Sequence, residues 1–449
     1  MIASFGKQVV NVARWVVLCG IVAFAISVPV VVGQTVIAKT VAPPAVSAPP
    51  LARVPAEPAA PDAGDPPDAP LVATGLEINE RASTTTFTLA LSKPIEAHIF
   101  TLADPYRIVI DMPEVAFHVP AGTGQDRKGL ITAVRYGVFA AGRSRVVITT
   151  LGPVRVARFE TVPGPTLVAL RLELVPTGVA EFAAQTTTRL AAAAAGATLR
   201  PTLGPSPPEP ARQPAGGKFV IMIDPGHGGI DAGAVSADQA AEKDIVLAVA
   251  LQLRSALDSK RYDVRMTRTS DTFVSLDKRV ALSEAAGAGL FVSLHADAVE
   301  DAALARSVRG ATVYTLSERA SNDVARALAD KENAADADAG LVAVDAAEHG
   351  QVNTILADLA KRETQGFSAQ FQHILVERMR SANMLARDPS RAAAFRVLRQ
   401  AQTPTVLIEL GFISHPVDAA QMRLVDWQKR TAATIAAAID AYAAVHSGR

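Results

Sequence analysis

The sequence predicts a multi-domain protein in which an N-terminal β-sandwich precedes a C-terminal α/β domain with a mostly parallel sheet. Its 449 residues exceed the size of one ordinary domain. Sixteen of its 29 prolines fall within residues 43–70 and 201–214, where regular elements cannot pack because each proline fixes φ and removes a backbone donor. After the second of these stretches, the pattern changes from short alternating strands to buried strands separated by helical segments.

The composition excludes several classes of protein. Hydrophobic residues make up 49% of the chain and charged residues 20%, which excludes wholesale disorder. Lys+Arg and Asp+Glu both number 44, so the basic excess of a nucleic-acid-binding protein is missing and we expect no nucleic-acid partner. Cys19 is the only cysteine, which rules out disulfide frameworks and thiolate zinc sites. Any metal must therefore be held by histidine and carboxylate side chains.

Residues 1–38 have the pattern of an export segment. Lys7 and Arg14 precede the uncharged stretch 15–33, which is long enough to span a bilayer. The segment is either a cleaved signal peptide or a retained anchor, and a proline and a polar residue near its end favour cleavage. Both alternatives place the protein outside the cytoplasm, with membrane contact only through this segment if it is retained.

Two tethers are expected to separate the folded parts. Residues 39–71 and 176–217 are rich in proline and alanine, a composition typical of extended linkers. At about 3 Å per residue, a tether of about 35 residues reaches about 100 Å. We therefore expect that the two domains can act on different targets.

Residues 72–175 read as a β domain. The segments 84–91, 106–111, 145–149 and 167–172 alternate or are rich in β-forming residues, with turn residues between them, which predicts a β-sandwich. It contains no His/carboxylate cluster, and its two histidines are expected to be surface or packing residues. The run Phe100-Thr101-Leu102-Ala103-Asp104-Pro105-Tyr106-Arg107-Ile108-Val109-Ile110-Asp111 resembles the signature of the AMIN domain. That resemblance implies binding to peptidoglycan and placement at the division site; the alternative is a generic sandwich without a binding role.

Polar residues follow the buried strands of the C-terminal domain, residues 218–449. The apolar run 219–223 leads into a Gly-rich turn with His227, a second run ends at His295, and a third ends at Glu409. Glu242 opens the helix after the first turn. Ligands of open α/β sheets bind at the carboxyl ends of the strands, so these side chains are expected to meet there.

Two imidazoles and a carboxylate are the ligands of a catalytic zinc site with one position left open. Each residue also has an ordinary structural interpretation: the turn as a turn, His295 as a packed residue, Glu242 as a helix cap. The pattern alone leaves these alternatives even. A nucleotide site is excluded, because the turn lacks the Lys-Ser/Thr of a phosphate loop.

Residues 219–445 resemble the zinc-dependent N-acetylmuramoyl-L-alanine amidases of the cell-division type. Four motifs match in order, namely Ile223-Asp224-Pro225-Gly226-His227-Gly228-Gly229, Glu242-Lys243-Asp244, Ser293-Leu294-His295-Ala296-Asp297, and Val406-Leu407-Ile408-Glu409-Leu410-Gly411-Phe412-Ile413-Ser414. The resemblance implies that His227, Glu242 and His295 bind Zn²⁺ and that Glu409 is the catalytic carboxylate. It implies hydrolysis of the amide between N-acetylmuramic acid and L-alanine of the stem peptide, in the periplasm and concentrated at the septum, for daughter-cell separation.

The sequence departs from the family pattern at two positions and leaves other functions open. Asp297 stands where many relatives have Asn, and His415 follows Ser414 where Asn is common; His415 is expected to be a loop residue. One alternative is a non-catalytic peptidoglycan-binding envelope protein. Another is a zinc peptidase that cuts within the stem peptide.

An insertion, residues 317–366, lies between the strand-like run 311–316 and a helix expected to begin near Phe367. Its length is unusual for a connection, and it opens with a predicted helix over 321–333. The resemblance implies a helix that covers the active site, a glutamate that reaches the zinc, and an activator with a LytM-type domain. Glu332 is the candidate blocking ligand; the alternative is a solvated helix on which Glu332 is one surface charge among several.

Overall fold

A computed structural model describes residues 70–120, 122–185, 218–299, 301, 305–341, 355–381 and 384–446. Both folded domains lie in one compact unit, Asp65–Arg449. The predicted export segment and most of the two predicted tethers fall outside the described residues. Within the described ranges, no helix combines the length and apolar character needed to cross a membrane.

The N-terminal domain is built from two antiparallel sheets. Its described strands are β1 (Val72–Arg81), β2 (Thr84–Leu91), β3 (His98–Leu102), β4 (Arg107–Pro113), β5 (Ala116–Phe117), β6 (Ile131–Ala140), β7 (Arg143–Thr150), β8 (Val154–Pro163) and β9 (Val168–Pro176). One sheet has the order β5-β1-β2-β9-β8 and the other the order β3-β4-β7-β6. The predicted β-sandwich is therefore confirmed, with only the short β1–β5 pair running parallel.

The core of this domain lies between the two sheets. Along β2, side chains are buried in strict alternation, so Phe87 and Leu89 face the opposite sheet. The folded chain continues beyond β9, because Phe182 is buried and its ring meets that of Tyr106 edge to face at 5.0 Å. Packed structure thus extends to residue 185, into the segment that the sequence marks as a tether.

The C-terminal domain is a three-layer α/β fold. Its strands are β10 (Phe219–Pro225), β11 (Tyr262–Met266), β12 (Leu290–His295), β13 (Ala311–Leu316), β14 (Leu385–Ala393) and β15 (Thr405–Glu409). Its helices are α1 (Glu242–Ala256), α2 (Leu276–Ala285), α3 (Asp323–Asn333), α4 (Ala335–Asp338), α5 (Ile355–Ser381), α6 (Pro416–Met422) and α7 (Val425–His446). Apolar residues of α1, α5 and α7 cover one face of the sheet, and those of α2 and α3 pack on the other.

The sheet has the order β11-β10-β12-β15-β13-β14. Every neighbouring pair is parallel except β13 and β15, so the predicted mostly parallel sheet is confirmed. Because β10, β12 and β15 are parallel neighbours, their carboxyl ends lie side by side. The residues that follow these three strands must therefore meet at one edge of the sheet.

The insertion between β13 and α5 is partly helical. Helix α3 ends at Asn333, and the side chain of Asn322 caps its start by accepting a hydrogen bond from Ala325 N at 2.8 Å. The predicted helix over 321–333 is confirmed to within two residues. Helix α5 begins at Ile355 rather than near Phe367. The glycine at position 366 does not mark a helix start, because a single glycine inside a helix costs only about 1 kcal/mol.

Candidate metal centre

His227, His295 and Glu409 converge at the edge where the parallel strands end. His295 is the last residue of β12 and pairs in register with Glu409, the last residue of β15. His227 follows β10 by two residues on the Gly-rich turn. Glu242, the first residue of α1, closes the group from the side. The four side chains therefore lie together at the carboxyl ends of β10, β12 and β15.

The turn holds His227 in an unusual backbone conformation. Its φ is +57°, a left-handed geometry that costs a non-glycine residue about 1–2 kcal/mol. Two contacts keep it there: Arg279 Nη2 donates to the His227 carbonyl oxygen at 2.7 Å, and Asp231 Oδ2 lies 2.8 Å from His227 Nδ1. With Nδ1 engaged, Nε2 is left to face the centre.

Glu242 is fixed by backbone amides on both carboxylate oxygens. Ala234 N donates to Oε2 at 2.9 Å, and Ala296 N donates to Oε1 at 2.7 Å. Two glycines make room for the group. A Cβ on Gly226 would overlap the His295 ring, and a Cβ on Gly233 would overlap Glu242 and His227. The glycines of the turn therefore allow the close approach that the site needs.

Four ligand atoms surround a common point. Glu242 Oε1 lies 3.2 Å from His227 Nε2 and 3.3 Å from His295 Nδ1. Glu332 Oε2 lies 3.4 Å and 3.3 Å from the same two nitrogens. The corners of a tetrahedral zinc site with bonds of about 2.0–2.2 Å are about 3.3–3.6 Å apart. These four nitrogen–oxygen distances lie within or beside that range, so both imidazoles could share a metal ion with Glu242, and Glu332 is a fourth donor next to them.

Two of these four atoms lack ordinary hydrogen-bond partners. Among the described residues, His227 Nε2 and His295 Nδ1 are buried without a partner, as is the other oxygen of Glu332, Oε1. Buried polar atoms are nearly always satisfied, so two unpartnered imidazole nitrogens that both lie within 3.4 Å of Glu332 Oε2 indicate a ligand-binding position. His227, His295 and Glu332 also form a group whose ligand atoms lie within 4.8 Å of one another. These residues could therefore hold a metal ion.

The electrostatics of the centre favour positive charge. Burial disfavours a charged His227, but the carboxylates of Asp231, Glu242 and Glu332 outweigh it and raise its pKa well above the usual value. Burial likewise opposes charge on His295, yet Glu332 and Glu242 raise its pKa to about 9. Burial works against ionisation of Glu242 as well, but the two imidazoles hold its pKa well below the usual range. A cation at the centre would satisfy this excess of carboxylate charge.

Glu409 sits beside the centre in a different environment. Its Oε2 accepts a hydrogen bond from Asp297 N at 3.0 Å, whereas Oε1 is buried and has no partner among the described residues. Burial, reinforced by the charges of Asp297 and Glu242 and opposed by His295, raises the pKa of Glu409 well above its usual value. A carboxyl group with a raised pKa holds a proton more readily than an ordinary carboxylate does, as a general acid must.

A buried charge network under the turn escaped the sequence interpretation. Asp224 Oδ1 accepts from Arg279 Nη1 at 2.6 Å, and its Oδ2 accepts from Ser293 Oγ at 2.8 Å. Arg268 donates to the carbonyl oxygens of Pro225 and Gly226. The sequence pattern gives no signal for the two arginines, because they resemble surface charges. Asp231 could have been found, since it is a carboxylate four residues after the candidate ligand His227.

The two departures from the family pattern have distinct surroundings. Asp297 is buried and forms an ion pair with Lys331 of α3, the residue before Glu332. Burial and the charges of Glu332 and Glu242 raise the pKa of Asp297 to about 7 against the opposing effect of Lys331. His415 caps helix α6, since its Nδ1 accepts from Val417 N at 3.3 Å. It is thus a loop residue, as expected.

Helix α3 closes the site from above. The Ala325, Leu328 and Ala329 side chains pack into the apolar cluster on that face of the sheet, and this directs the buried Glu332 side chain toward the two histidines. The cavity that remains at the site has a volume of about 10 Å³, about the least space that a single water molecule needs. The space next to His227, His295 and Glu332 is therefore nearly filled while α3 is in this position.

Comparisons with known proteins identify both domains. Residues 221–441 match the family described as N-acetylmuramoyl-L-alanine amidase, and residues 75–172 match the AMIN domain. The chain is 35% identical to N-acetylmuramoyl-L-alanine amidase AmiA of Escherichia coli over 52% of this chain and 79% of that protein. It is 31% identical to N-acetylmuramoyl-L-alanine amidase AmiC of Neisseria meningitidis over 80% of this chain and 86% of that protein.

A solved relative covers only the catalytic half. The catalytic domain of CwlV, an N-acetylmuramoyl-L-alanine amidase from Bacillus (Paenibacillus) polymyxa, is 26% identical over 50% of this chain and 98% of that chain, with a TM-score of 0.36. The family assignment rests on the two domain matches and on the two relatives above. The chain belongs to the N-acetylmuramoyl-L-alanine amidases, which are peptidoglycan hydrolases, and it carries an AMIN domain ahead of its catalytic domain.

Proposed function

We propose that this chain is a zinc-dependent enzyme that hydrolyses the amide between the lactyl group of N-acetylmuramic acid and the L-alanine of the stem peptide. One observation carries the proposal: two imidazoles and two carboxylates meet at 3.2–3.4 Å, beside the further buried carboxyl group of Glu409. Neutral imidazole nitrogens and a carboxylate oxygen are the donors that catalytic zinc prefers in proteins.

In this proposal His227, Glu242 and His295 hold the zinc ion. When bound there, zinc supplies a Lewis acid that polarises a carbonyl group and lowers the pKa of water to about 7. Asp231 orients the His227 ring through its contact with Nδ1, as carboxylates commonly do behind metal-binding histidines. The amides of Ala234 and Ala296 keep the Glu242 carboxylate from rotating away.

Glu409 moves the proton. It takes a proton from the water molecule that adds to the lactyl carbonyl carbon, and it delivers that proton to the alanine nitrogen as the C–N bond breaks. Its raised pKa favours the second step, because a carboxyl group that holds its proton more firmly than usual is better able to deliver it to the departing nitrogen as a general acid. The Asp297 amide fixes one oxygen of Glu409 and leaves the other available.

We further propose that the described conformation is a resting state. Glu332 occupies the fourth corner of the donor set, and the space left at the site is too small for a muramoyl peptide. An activator with a LytM-type domain would displace α3 and so open the centre. The enzyme would then act only where that activator is present.

The proposed place of action is the periplasm, at the septal wall. The AMIN match and the AmiC relative support an exported protein associated with peptidoglycan. In this scheme the N-terminal domain binds peptidoglycan and supplies no catalytic group. The N-terminal segment is the only part expected to meet a membrane.

Product analysis tests the reaction directly. Purified protein with α3 released by the Glu332→Ala substitution is incubated with purified sacculi, and the soluble fragments are identified by mass spectrometry. The amidase reaction yields stem peptides with a free N-terminal L-alanine and glycan strands without peptide. Muramic acid that keeps L-alanine would instead indicate a zinc peptidase, and an absence of new fragments would indicate a wall-binding protein without activity.

The resting state has its own test. Glu332→Ala should raise the basal rate of dye release from labelled sacculi about tenfold or more, within the range that coupling between sites usually spans, because the fourth corner becomes available. Zinc content should stay the same. Asp330→Ala is the matched control, since Asp330 is an exposed carboxylate on the same helix. Equal rates for both variants and the parent would show that Glu332 does not block the centre.

A further inference from the structure

The outer face of the four-stranded sheet in the N-terminal domain is covered by the catalytic domain. Val109 of β4 and Val147 of β7 lie outside the core between the sheets, yet both are fully buried. They pack in a small apolar cluster with Ile230 and Ala339 of the catalytic domain. This explains why β4 is buried on both faces, which an antiparallel sheet with one face in water would not show.

The covered face touches the turn that carries His227. Gly137 of β6 approaches Gly229 so closely that a Cβ on either residue would overlap the opposing backbone. Phe273 N donates to the Val138 carbonyl oxygen at 3.3 Å, and the ring of Phe139 stacks on that of Phe273 at 5.7 Å. The strand β6 therefore lies directly against the Gly-rich turn that carries His227, called the metal turn below.

The same face also grips the insertion just after α3. Arg145 Nη1 donates to the carbonyl oxygens of Ala339 and Gly340 at 3.3 Å and 3.1 Å. Its guanidinium group is held in place by Asp111, at 2.6 Å and 2.9 Å, and by the Phe139 ring, 3.6 Å away. A buried arginine that is oriented by a carboxylate and an aromatic ring loses little further freedom when it binds the two carbonyl groups.

Two further arginines extend this contact. Arg107 donates to the Ala337 carbonyl oxygen, and Arg135 forms an ion pair with Asp338 at 2.8 Å. The last carbonyl groups of a helix have no partner within the helix; Arg107 supplies a partner to the one at Ala337, whereas Arg135 holds the Asp338 side chain. Gly340 completes the fit, because a Cβ there would lie 3.1 Å from methyl groups of Val109 and Val147.

We propose that the β3-β4-β7-β6 sheet is an interaction surface for residues 337–340 and that it holds the inhibitory insertion closed. Glu332 is near the end of α3 and Ala337 lies in α4, and only Ala334 separates the two helices. A segment fixed at 337–340 therefore restricts how far Glu332 can move. The proposal deepens the proposed function, on whose blocking role for Glu332 it rests. In this proposal, residues 337–340 must leave the sheet before the centre can open. The contacts of the sheet and of Glu332 therefore stabilise the same closed position of the insertion.

The test uses the full chain and the double variant Arg135→Ala/Arg145→Ala. Loss of two of the three arginine contacts should raise the basal rate of sacculus hydrolysis about tenfold, with unchanged zinc content, within the range of coupling between sites on one chain. The matched control is Arg155→Ala/Arg158→Ala, which removes two arginines of β8 on the other sheet that pair with Glu181 and Glu160. The control should keep the parent's rate.

Hydrogen exchange provides a second measurement that does not depend on activity. Amide protons of residues 335–341 should exchange faster in the double variant than in the parent, whereas those of β2 should be unchanged if the domain remains folded. Asp338→Lys, on the catalytic side of the same contact, places a positive charge opposite Arg135 and should act in the same direction. This variant leaves the N-terminal domain intact, so it decides the question if the double variant unfolds.

The outcomes separate the two proposals. If Glu332→Ala is activated while the arginine and Asp338 variants keep the parent's rate and exchange, the sheet does not hold the insertion and the Glu332 block stands. If Glu332→Ala keeps the parent's rate, the Glu332 block is wrong. Exchange over 335–341 then decides this inference alone: faster exchange in the variants supports the interaction surface, and unchanged exchange overturns it.

Discussion

The two domains bury charge in opposite ways. Within the catalytic domain, Asp224, Glu242 and Glu409 are completely buried at one edge of the sheet. In the N-terminal domain the space between the sheets is apolar, and the buried arginines Arg107 and Arg145 lie on the outer face. Burying a charge is unfavourable unless it is paired or bound. The comparison teaches that the catalytic domain concentrates buried carboxylates at the candidate metal centre, whereas the N-terminal domain places its buried arginines where it contacts the catalytic domain.

The largest effect in a test of this contrast is expected from removing a proposed metal ligand. His295→Ala should abolish both zinc binding and wall hydrolysis, because it leaves a single imidazole among carboxylates, whereas catalytic zinc with a carboxylate ligand is held by two imidazoles as well. Zinc content by elemental analysis and dye release from sacculi are measured on the same preparation. His415→Ala is the control: it removes a helix cap worth about 1 kcal/mol and should keep zinc and activity. A fully active His295→Ala protein would contradict the ligand assignment.

A second substitution separates proton transfer from metal binding. Glu409→Gln should retain zinc but lower kcat at least about a hundredfold, since a positioned acid–base group contributes about 10²–10⁴-fold. The isosteric amide keeps an oxygen that can accept from Asp297 N, so the loop should stay in place. The comparison is best made in a Glu332→Ala background, where the basal rate is higher. Parent-like turnover would make Glu409 a structural residue only.

The smallest effect is expected behind the metal. Asp231→Asn should weaken zinc binding about 10–100-fold, because an amide orients the His227 ring less firmly than a carboxylate does. Competition with a chelator of known affinity measures this change without reference to activity. Asp238→Asn, an exposed aspartate of the same loop region, is the matched control. Equal zinc affinity in both variants would show that Asp231 has no role in holding the ring.

Much of the catalytic domain could be predicted because its pattern is local. Buried strands in a parallel sheet place the residues that follow them at one edge, so the sequence alone groups His227, His295 and Glu409. Glu242 required the family resemblance, since a glutamate at a helix start is usually a cap. The assignment of these four residues to zinc and catalysis remains a prediction that the substitutions above address.

Contacts between distant segments left weaker traces in the sequence. Arg279 joins Asp224 across 55 positions, and nothing in the pattern around either residue indicates the pair. The docking of the N-terminal domain did leave a signal: Ile108-Val109-Ile110 and Val146-Val147-Ile148 are apolar on both faces of their strands, which an antiparallel sheet with one wet face does not require. Which surface would cover the second face depends on tertiary packing that local patterns do not encode.

The close approach of Gly137 to Gly229 predicts where mutations that release the enzyme from restraint should fall. Any larger residue at Gly137 would push the N-terminal domain away from the metal turn, even though Gly137 lies in a domain with no catalytic group. A genetic screen for variants that lyse their host should therefore recover changes in β6 as well as in the insertion. The N-terminal domain is in this respect a mutational target for loss of restraint, because Gly137 is constrained by its contact with the catalytic domain.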